Sequence, residues 1–420
     1  MTHQGLFNSD DYIYKKALRW ASMHEVCCAF RNHNIDYPYG AFPNVIACGV
    51  EKAIERFDTL NDLDHFLKQA NKKAYGFFSY ELKNRIEKLH SKNIYRIPMP
   101  ELYFFIPKHL IHFYDGAMMV ESTVAAERVY EEILSTGLPE KINISKPDIR
   151  CSVNKDEYLY TVEKIKEHIY KGDVYEMNYC IEFFAQDVFV DALHIYQNLC
   201  DLSPMPFSCF FKLYEKYLLG ASPERFLKKT GKKIISQPIK GTARRSGDRD
   251  LDIFLKQHLE KSTKDRSENI MITDLVRNDL SKNAVPGSVR VEELCKVYTF
   301  HTVHQMISTI TAEVAVQTSV SEMIMNTFPM GSMTGAPKIK AMELIDLYEN
   351  TCRGLYSGTV GFIEPDGNFD FSVVIRSIVY DHHQGIASFH AGSAITSLSD
   401  PAGEYEECLL KAEAMRRVFS

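Results

Sequence analysis

The chain has 420 residues, of which 45% are hydrophobic, and a formal net charge of −6. This length and composition allow a sizeable core, in one large domain or in two or three ordinary ones. The slight excess of acids, without blocks of like charge, argues against a nucleic-acid binder. Ten scattered cysteines without zinc-ligand spacing indicate buried thiols in a reducing cytosol. A polar N-terminus and the lack of long apolar runs predict a cytoplasmic protein without signal peptide or membrane span.

Residues 1–120 mix short apolar segments with proline and glycine, a pattern typical of strands and loops with few helices. The predicted strands are Val45–Val50, Tyr75–Tyr80 and Leu102–Ile106. A charged helix is predicted over Thr123–Leu134, and it leads into a polar segment, Ser135–Arg150, that contains glycine and two prolines. We expect this segment to separate an N-terminal region, residues 1–150, from a second domain over residues 151–420.

Beyond residue 150 the chain alternates between predicted strands and helices. Apolar residues from Leu159 to Ile169 follow helical spacing, and Gly172 is expected to end that helix. Further strands are predicted at Val174–Phe184, Ser288–Val297, His304–Val314, Gly358–Ile363, Phe371–Val379 and Ile386–Ala391, and further helices at Asp252–Val276, after Pro337 and at Glu404–Val418. Adjacent strands without intervening helices favour large antiparallel sheets with helices packed outside, an α+β fold.

Lys240 is the first candidate catalytic residue. It follows an apolar strand predicted over Lys233–Ile239, so its amine would project at a strand end, and a desolvated lysine can act as a nucleophile. The alternative is an ordinary solvated lysine. The segment from Tyr217 reads as a hairpin, and a three-residue loop, Thr230-Gly231-Lys232, would place Glu224 and Lys240 on one face. A two-residue loop would separate them unless a bulge at Pro238 restored the register.

Two pairs of acids are candidate metal ligands. Asp265 and Glu268 are three residues apart on one predicted helix, and Glu404 and Glu407 repeat this spacing on the last helix. Four carboxylates in one pocket require a cation, and a set of oxygen ligands without histidine or cysteine favours Mg²⁺ over zinc. The alternative is that each pair is an exposed feature of its helix surface.

Positive and small residues complement these acids. Arg376 interrupts the apolar run FSVVIRSIV, where a guanidinium would be costly unless it bound a carboxylate of a ligand or of the protein. The stretch Ala391–Ser397 offers small residues and free backbone N–H groups that can approach an anion. Pro329–Lys338 lacks the GK[ST] ending of a phosphate loop and is interpreted as a turn and a helix start at Pro337.

Several segments together resemble the chorismate-binding family, which includes anthranilate synthase component I, aminodeoxychorismate synthase component I and isochorismate or salicylate synthases. The matching segments include GDVYEMNYC, GASPERFL, PIKGTARR, SENIMITDLVRNDLSK, FPMGSMTGAPKIKAMELI, SGTVGFIEPDGNFDFSVVIRS and AGSAITSLSDPAGEYEECLLKAEAM. They run in family order from about residue 156 to 418. The resemblance implies a sandwich-like sheet core and a catalytic domain over residues 151–420.

The resemblance also implies the chemistry. Aminodeoxychorismate synthases carry the sequence PIKGT, as this chain does, so the chain resembles that type. Anthranilate synthases generally have alanine at the position of Lys240. Lys240 would attack C2 of chorismate while the C4 hydroxyl leaves, Glu224 would act as general acid, and ammonia would then displace the lysine and arrive at C4. Glu268 and Glu407 would hold Mg²⁺, with Glu404 and Asp265 nearby. The implied substrate-contacting residues are Gly241, Thr242, Arg376, Gly392 and Lys411.

The chain departs from the family pattern at two positions. Gln305 stands where the family often has a histidine, and Asp265 stands where a glutamate is usual. No LLES-type element is present, so we do not expect inhibition by tryptophan.

Three functions remain to be compared. The leading one is amination of chorismate for 4-aminobenzoate and folate synthesis. Because no GxCxG motif of a glutaminase occurs, ammonia should come from a separate glutamine amidotransferase subunit. The alternatives are anthranilate synthase component I and a non-catalytic protein of the same fold.

Overall fold

The computed structural model describes residues 2–87, 89–138 and 147–419. The strands are β1 His3–Asn8, β2 Val26–Arg31, β3 Val45–Ile54, β4 Ala74–Phe78, β5 Leu102–Tyr114, β6 Ala117–Ser122, β7 Arg150–Cys151, β8 Glu176–Ala185, β9 Phe207–Leu213, β10 Lys216–Ser222, β11 Arg225–Thr230, β12 Lys233–Gln237, β13 Ile239–Arg244, β14 Arg290–Thr299, β15 Val303–Glu313, β16 Gly335–Ala336, β17 Thr359–Ile363, β18 Phe369–Val373, β19 Ser377–Asp381 and β20 Ile386–Ile395. The helices are α1 Asp11–Ser22, α2 Asn61–Ala70, α3 Lys83–Ile86, α4 Ala126–Ser135, α5 Lys155–Lys171, α6 Ala192–Leu202, α7 Arg249–Lys261, α8 Thr263–Ser281, α9 Val320–Thr327, α10 Lys338–Tyr348 and α11 Pro401–Arg417.

The strands form one antiparallel network with two arms. The first arm runs through β7, β8, β20, β19, β10, β9, β2, β3, β5, β6 and β1, with β16 also paired to β8. The second arm runs through β4, β17, β18, β11, β12, β15 and β14, with β13 also paired to β15. Strand β5 joins the arms because it pairs with both β3 and β4.

The core has an inner layer and two outer layers. Hydrophobic side chains from both arms, including Phe30, Phe77, Phe105, Phe211 and Leu218, pack together between the arms. Helices α1, α4, α5, α6 and α11 cover the outer face of the first arm, and α2, α8 and α9 cover that of the second. The predicted α+β fold with antiparallel sheets inside and helices outside is therefore confirmed.

Local capping explains where several helices begin and end. Asn154 forms a capping box with Glu157 at the start of α5, and Gly172 ends this helix in the left-handed conformation, at the predicted position. No helix in the described part of the chain is both long enough and apolar enough to cross a membrane.

The structure corrects three predicted elements. The N-terminal residues contain helices α1 and α2, which the sequence reading missed. The single helix predicted over Asp252–Val276 is two helices, because Ser262 ends α7 and its side chain caps α8. The strand predicted over Phe371–Val379 breaks between β18 and β19, so that Arg376 lies outside a strand, with a φ of 51°.

The division at Ser135–Arg150 remains a prediction, since residues 139–146 of that segment lie outside the described residues. Strands from both sides of it pair directly, as β2 does with β9 and β4 with β17.

Candidate active site

A cavity of about 890 Å³ lies where the second arm, the β8–β20 end of the first arm and helices α8 and α11 meet. Ten of the eleven predicted site residues line it: Glu224, Lys240, Gly241, Thr242, Asp265, Glu268, Arg376, Gly392, Glu407 and Lys411. The eleventh, Glu404, is buried and bonded to Lys264, which also lines the cavity. The structure therefore brings the whole predicted set together.

Lys240 is buried and ion-paired. Only 10% of its side chain is exposed, and its Nζ lies 2.9 Å from Oε1 of Glu176, whose side chain is fully buried. Burial by itself lowers the pKa of this amine, but the carboxylates of Glu176, Glu268 and Glu224 outweigh burial and raise the pKa above its ordinary value. These contacts exclude the alternative of an ordinary solvated lysine.

Glu224 holds a proton near neutral pH. Its side chain is buried, and burial raises the pKa of its carboxyl to about 7, against the opposing effects of Ser332 and Lys240. The Ser332 hydroxyl donates a hydrogen bond to Glu224 Oε1 over 2.6 Å. A carboxyl that is partly protonated at neutral pH is suited to general acid catalysis.

The hairpin that carries these two groups differs from the prediction. Two residues, Gly231 and Lys232, join β11 to β12, since Thr230 pairs with Lys233. The register then shifts between Arg225 and Lys228, as a bulge in β11 would cause. The extra residue lies in β11, whereas the prediction placed a bulge at Pro238, on the other strand of the hairpin. This shift compensates for the shorter loop and lets the side chains of Glu224 and Lys240 reach the cavity. Lys240 lies within the separate strand β13, because the predicted strand Lys233–Ile239 is interrupted at Pro238.

Lys264 lies between two of the four predicted metal ligands. Lys264 Nζ lies 2.9 Å from Glu404 Oε1 and 4.0 Å from Glu268 Oε1. Glu407 is paired with Lys411 over 2.7 Å, and Asp265 packs against Gly241. In the described part of the chain, no three histidine, cysteine or acidic side chains are arranged so that they could hold a metal ion. The structure therefore brings the acids to one wall and places an ammonium between two of them.

The chemistry of this wall nevertheless fits Mg²⁺. Glu268 Oε1 is buried and has no hydrogen-bond partner among the described residues. Burial, together with Glu176 and Glu404, raises the pKa of Glu268 to about 7, while Lys240 and Lys264 oppose this rise. A cation at this wall would satisfy the free oxygen and relieve the repulsion. Magnesium binding stays a prediction.

Arg376 and Lys411 are positive groups of the site, and Lys411 is also the ion-pair partner of Glu407. Arg376 donates a hydrogen bond from Nη1 to the Lys411 carbonyl over 3.3 Å, and no carboxylate of the described residues lies within 4.0 Å of its guanidinium. Burial lowers the pKa of Arg376, although Tyr356 and Glu407 oppose this effect. Lys411 Nζ donates to the Gly392 carbonyl over 2.9 Å. The alternative of a structural ion pair at Arg376 is therefore excluded within the described chain.

Two glycines of the site are required by close packing. Gly241 has a φ of +87°, and a Cβ there would lie 2.9 Å from the Asp265 side chain. At Gly392 a Cβ would lie 2.6 Å from the Tyr179 carbonyl of β8. The stretch Ala391–Ile395 belongs to β20 and pairs with β8, so only the edge of this strand away from β8 can offer free N–H groups. The expectation of free N–H groups over Ala391–Ser397 is therefore limited, within the strand, to that edge.

Gln305, one of the two residues that depart from the family pattern, also lies at the cavity. Thr242 of β13 is opposite Gln305 of β15, and the Gln305 side chain lines the cavity. Gln305 Oε1 is buried and lacks a hydrogen-bond partner among the described residues.

The sequence reading missed three residues of the site: Glu176, Lys264 and Ser332. An acid inside the apolar strand predicted at Val174–Phe184 was the available signal for Glu176. Ser332 lies in the short 3₁₀ helix Gly331–Met333, within the segment interpreted as a turn. Its contact with Glu224 depends on tertiary packing and has no local signal.

Comparisons with known proteins agree with this geometry. The chain is 40% identical over 66% of its length to a probable chloroplastic aminodeoxychorismate synthase from Oryza sativa, of which it spans 31%. It is 33% identical over 80% of its length to aminodeoxychorismate synthase component 1 of Klebsiella aerogenes, of which it spans 74%. Anthranilate synthases are also among its relatives, at similar identity.

The fold is shared with solved structures. Anthranilate synthase component I from Streptococcus pneumoniae superposes with a TM-score of 0.77 at 22% identity, over 92% of this chain and 95% of that one. The family described as chorismate binding enzyme matches residues 36–417, and this chain belongs to that family.

Proposed function

We propose that this chain aminates chorismate to 4-amino-4-deoxychorismate, using ammonia that a separate glutamine amidotransferase subunit supplies. The observation that carries the proposal is that Lys240 and Glu224 line one cavity, where a lysine ammonium and a carboxyl with a raised pKa lie together. In this reading the Lys240 amine attacks C2 and Glu224 protonates the departing C4 hydroxyl. The component 1 relatives support a two-subunit arrangement.

Arg376 supports an anionic substrate. A partly buried guanidinium without a carboxylate partner in the described chain is costly, and one of the two carboxylates of chorismate would provide the missing charge. Lys411, whose carbonyl accepts the hydrogen bond from Arg376, adds an ammonium to the cavity, where it is paired with Glu407 over 2.7 Å.

Mg²⁺ is the proposed cofactor. Glu268 and Glu407 would hold it, with Glu404 and Asp265 nearby, and when bound it would offset the charge of the ring carboxylate. Glu407→Gln tests this assignment, because removing one ligand charge should weaken binding of Mg²⁺ and of chorismate together. Unchanged magnesium dependence would rule Glu407 out.

Identification of the product tests the function. The purified chain is incubated with chorismate, Mg²⁺ and ammonium at a pH that provides free ammonia, and the product is identified by mass spectrometry. We expect 4-amino-4-deoxychorismate as the product. When glutamine replaces ammonium, we expect no turnover unless a glutaminase subunit is added. Anthranilate as the product would identify an anthranilate synthase, and absence of turnover would favour a binding protein.

Lys240→Ala is the companion variant. Loss of a covalent nucleophile commonly costs several powers of ten in rate, so most formation of 4-amino-4-deoxychorismate should disappear. Ammonia could then add at C2 and give the anthranilate-type intermediate. A variant with full activity and the same product would show that Lys240 is not the nucleophile.

A further inference from the structure

Glu176 is the carboxylate nearest to the reacting amine. It lies at the start of β8, fully buried, and its Oε1 accepts a hydrogen bond from Lys240 Nζ over 2.9 Å. Its second oxygen, Oε2, has no hydrogen-bond partner among the described residues. A buried carboxylate with a free oxygen and a single ammonium partner has capacity to accept a proton.

We propose that Glu176 removes the proton from the Lys240 ammonium and thereby creates the nucleophile. The inference rests on the function proposed above, and it assigns a role in that reaction to a residue that the sequence reading did not single out. An ammonium has no lone pair, so Lys240 must lose a proton before it can attack carbon. Glu176 already lies at hydrogen-bond distance from that proton.

The other acids around Lys240 are less well placed for this task. Glu224 precedes β11 and is engaged by Ser332, and it must keep its proton for the leaving hydroxyl. Glu268 of α8 and Glu407 of α11 influence Lys240 through space, but neither is hydrogen-bonded to it. Glu176 is therefore the one acid of the described chain that both faces Lys240 and contacts its nitrogen.

The step balances in protons and electrons. One proton moves from Lys240 Nζ to Glu176, and the nitrogen lone pair forms the bond to C2. Both ring double bonds shift, the C4–O bond breaks, and the proton of Glu224 leaves with the hydroxyl as water. When ammonia later attacks C4 and the lysine departs, the proton on Glu176 can return to the Lys240 amine, and the new C4 ammonium can return one proton to the Glu224 carboxylate.

Glu176→Gln is the test, since it keeps the shape and the hydrogen-bond acceptor but cannot take up the proton. We expect kcat to fall by about 10²-fold to 10⁴-fold, as for loss of a general base, with KM for chorismate changed less than about threefold. Below about pH 7, where Glu224 keeps its proton, the remaining activity should rise about tenfold per pH unit at fixed free ammonia, because Lys240 must then lose its proton to the solvent. Glu176→Asp should restore part of kcat.

Glu182→Gln is the matched control. Glu182 is a buried acid on the same face of β8, but it is paired with Arg96 over 3.1 Å and with Ser388 over 2.6 Å, away from Lys240. We expect its kcat and pH profile to resemble those of the wild type. Thermal unfolding of each variant checks the fold. If Glu176→Gln does not fold, Glu176→Asp carries the test, with kcat at least about tenfold below wild type at unchanged KM.

The readouts separate the two proposals. If the wild type makes anthranilate or no product, the proposed function fails, whatever the variants do. If the wild type makes 4-amino-4-deoxychorismate and a folded Glu176→Gln keeps kcat within about twofold without a new pH dependence, the role of Glu176 is overturned. A parallel rise in KM with unchanged kcat would overturn it as well, since that pattern belongs to a residue that only shapes the pocket.

Discussion

In the proposed reaction, Lys240 and Glu224 have opposite requirements at the same pH. The lysine must lose a proton to react, whereas the acid must keep one until the hydroxyl departs. Burial acts on both, but the cluster of carboxylates around Lys240 keeps its pKa high, while burial raises the pKa of Glu224 to about 7. In the resting site the proposed acid, Glu224, is therefore protonated below about pH 7, and the proposed nucleophile, Lys240, is protonated as well. Lys240 must lose this proton before it can attack the substrate.

The pKa of Glu224 predicts a limit on the alkaline side. The carboxyl is protonated below about pH 7, so kcat measured at constant free ammonia should fall as the pH rises above that value. In Glu224→Gln this decrease, the alkaline limb of the pH profile, should disappear, and kcat near neutral pH should drop by about 10²-fold or more. Steady-state assays over a pH series measure both effects.

Ser332→Ala provides the control for this prediction. The Ser332 hydrogen bond lowers the pKa of Glu224, so its loss should move the alkaline limb to higher pH without removing activity. A limb that stays in place in both variants would show that another group sets it.

At the scale of elements, helices α8 and α11 bring four acids to one wall with Lys264 between them. The ammonium of Lys264 contacts Glu404 and lies near Glu268, the oxygens that a metal ion would use. A divalent cation must therefore compete with this lysine for the same ligands.

Lys264→Met should raise the affinity of the chain for Mg²⁺. Removing one positive charge from the wall favours a cation there, and we expect a gain of about tenfold in affinity, equivalent to ~1.4 kcal/mol. Isothermal titration with Mg²⁺ in the absence of chorismate measures this directly. Lys261→Met is the matched control, because Lys261 is exposed at the end of α7 and should leave the affinity unchanged. Weaker binding in Lys264→Met would contradict the competition.

The hairpin of β11 and β12 shows what a local pattern can and cannot predict. Alternation and the Gly231 turn predict two strands, and both are present. The bulge in β11 has no clear sequence signal, because it arises from pairing of β11 with β18 as well as with β12. Ser262 is the opposite case, since a serine followed three residues later by Asp265 is a recognisable helix start inside a longer helical pattern.

At the scale of the whole molecule, the antiparallel core could be predicted from the sequence, and the family resemblance named residues that the fold brings to one cavity. Several contacts between these residues could not be predicted. Strands β15 and β20 are buried on both faces, so they contain few charged residues and can be predicted from the sequence. The ion pair of Glu176 with Lys240 joins residues 64 positions apart and depends on how β8 and β13 approach each other. No local pattern contains that information.

The two carboxyls with a pKa of about 7 also predict how stability depends on pH. Glu224 and Glu268 have raised pKa values in the folded protein, compared with an ordinary value of 4.5, so between about pH 4.5 and 7 the folded state binds more protons than the unfolded state. Their contribution to the free energy of unfolding is therefore present at low pH and is lost as the pH rises through about 7. Glu224→Gln and Glu268→Gln should each stabilise the protein by about 2 kcal/mol at pH 8 and have little effect at pH 4.5. Urea unfolding at both pH values measures this difference, with the exposed Glu260→Gln as control. Equal effects at the two pH values would show that these carboxyls titrate normally in the folded protein.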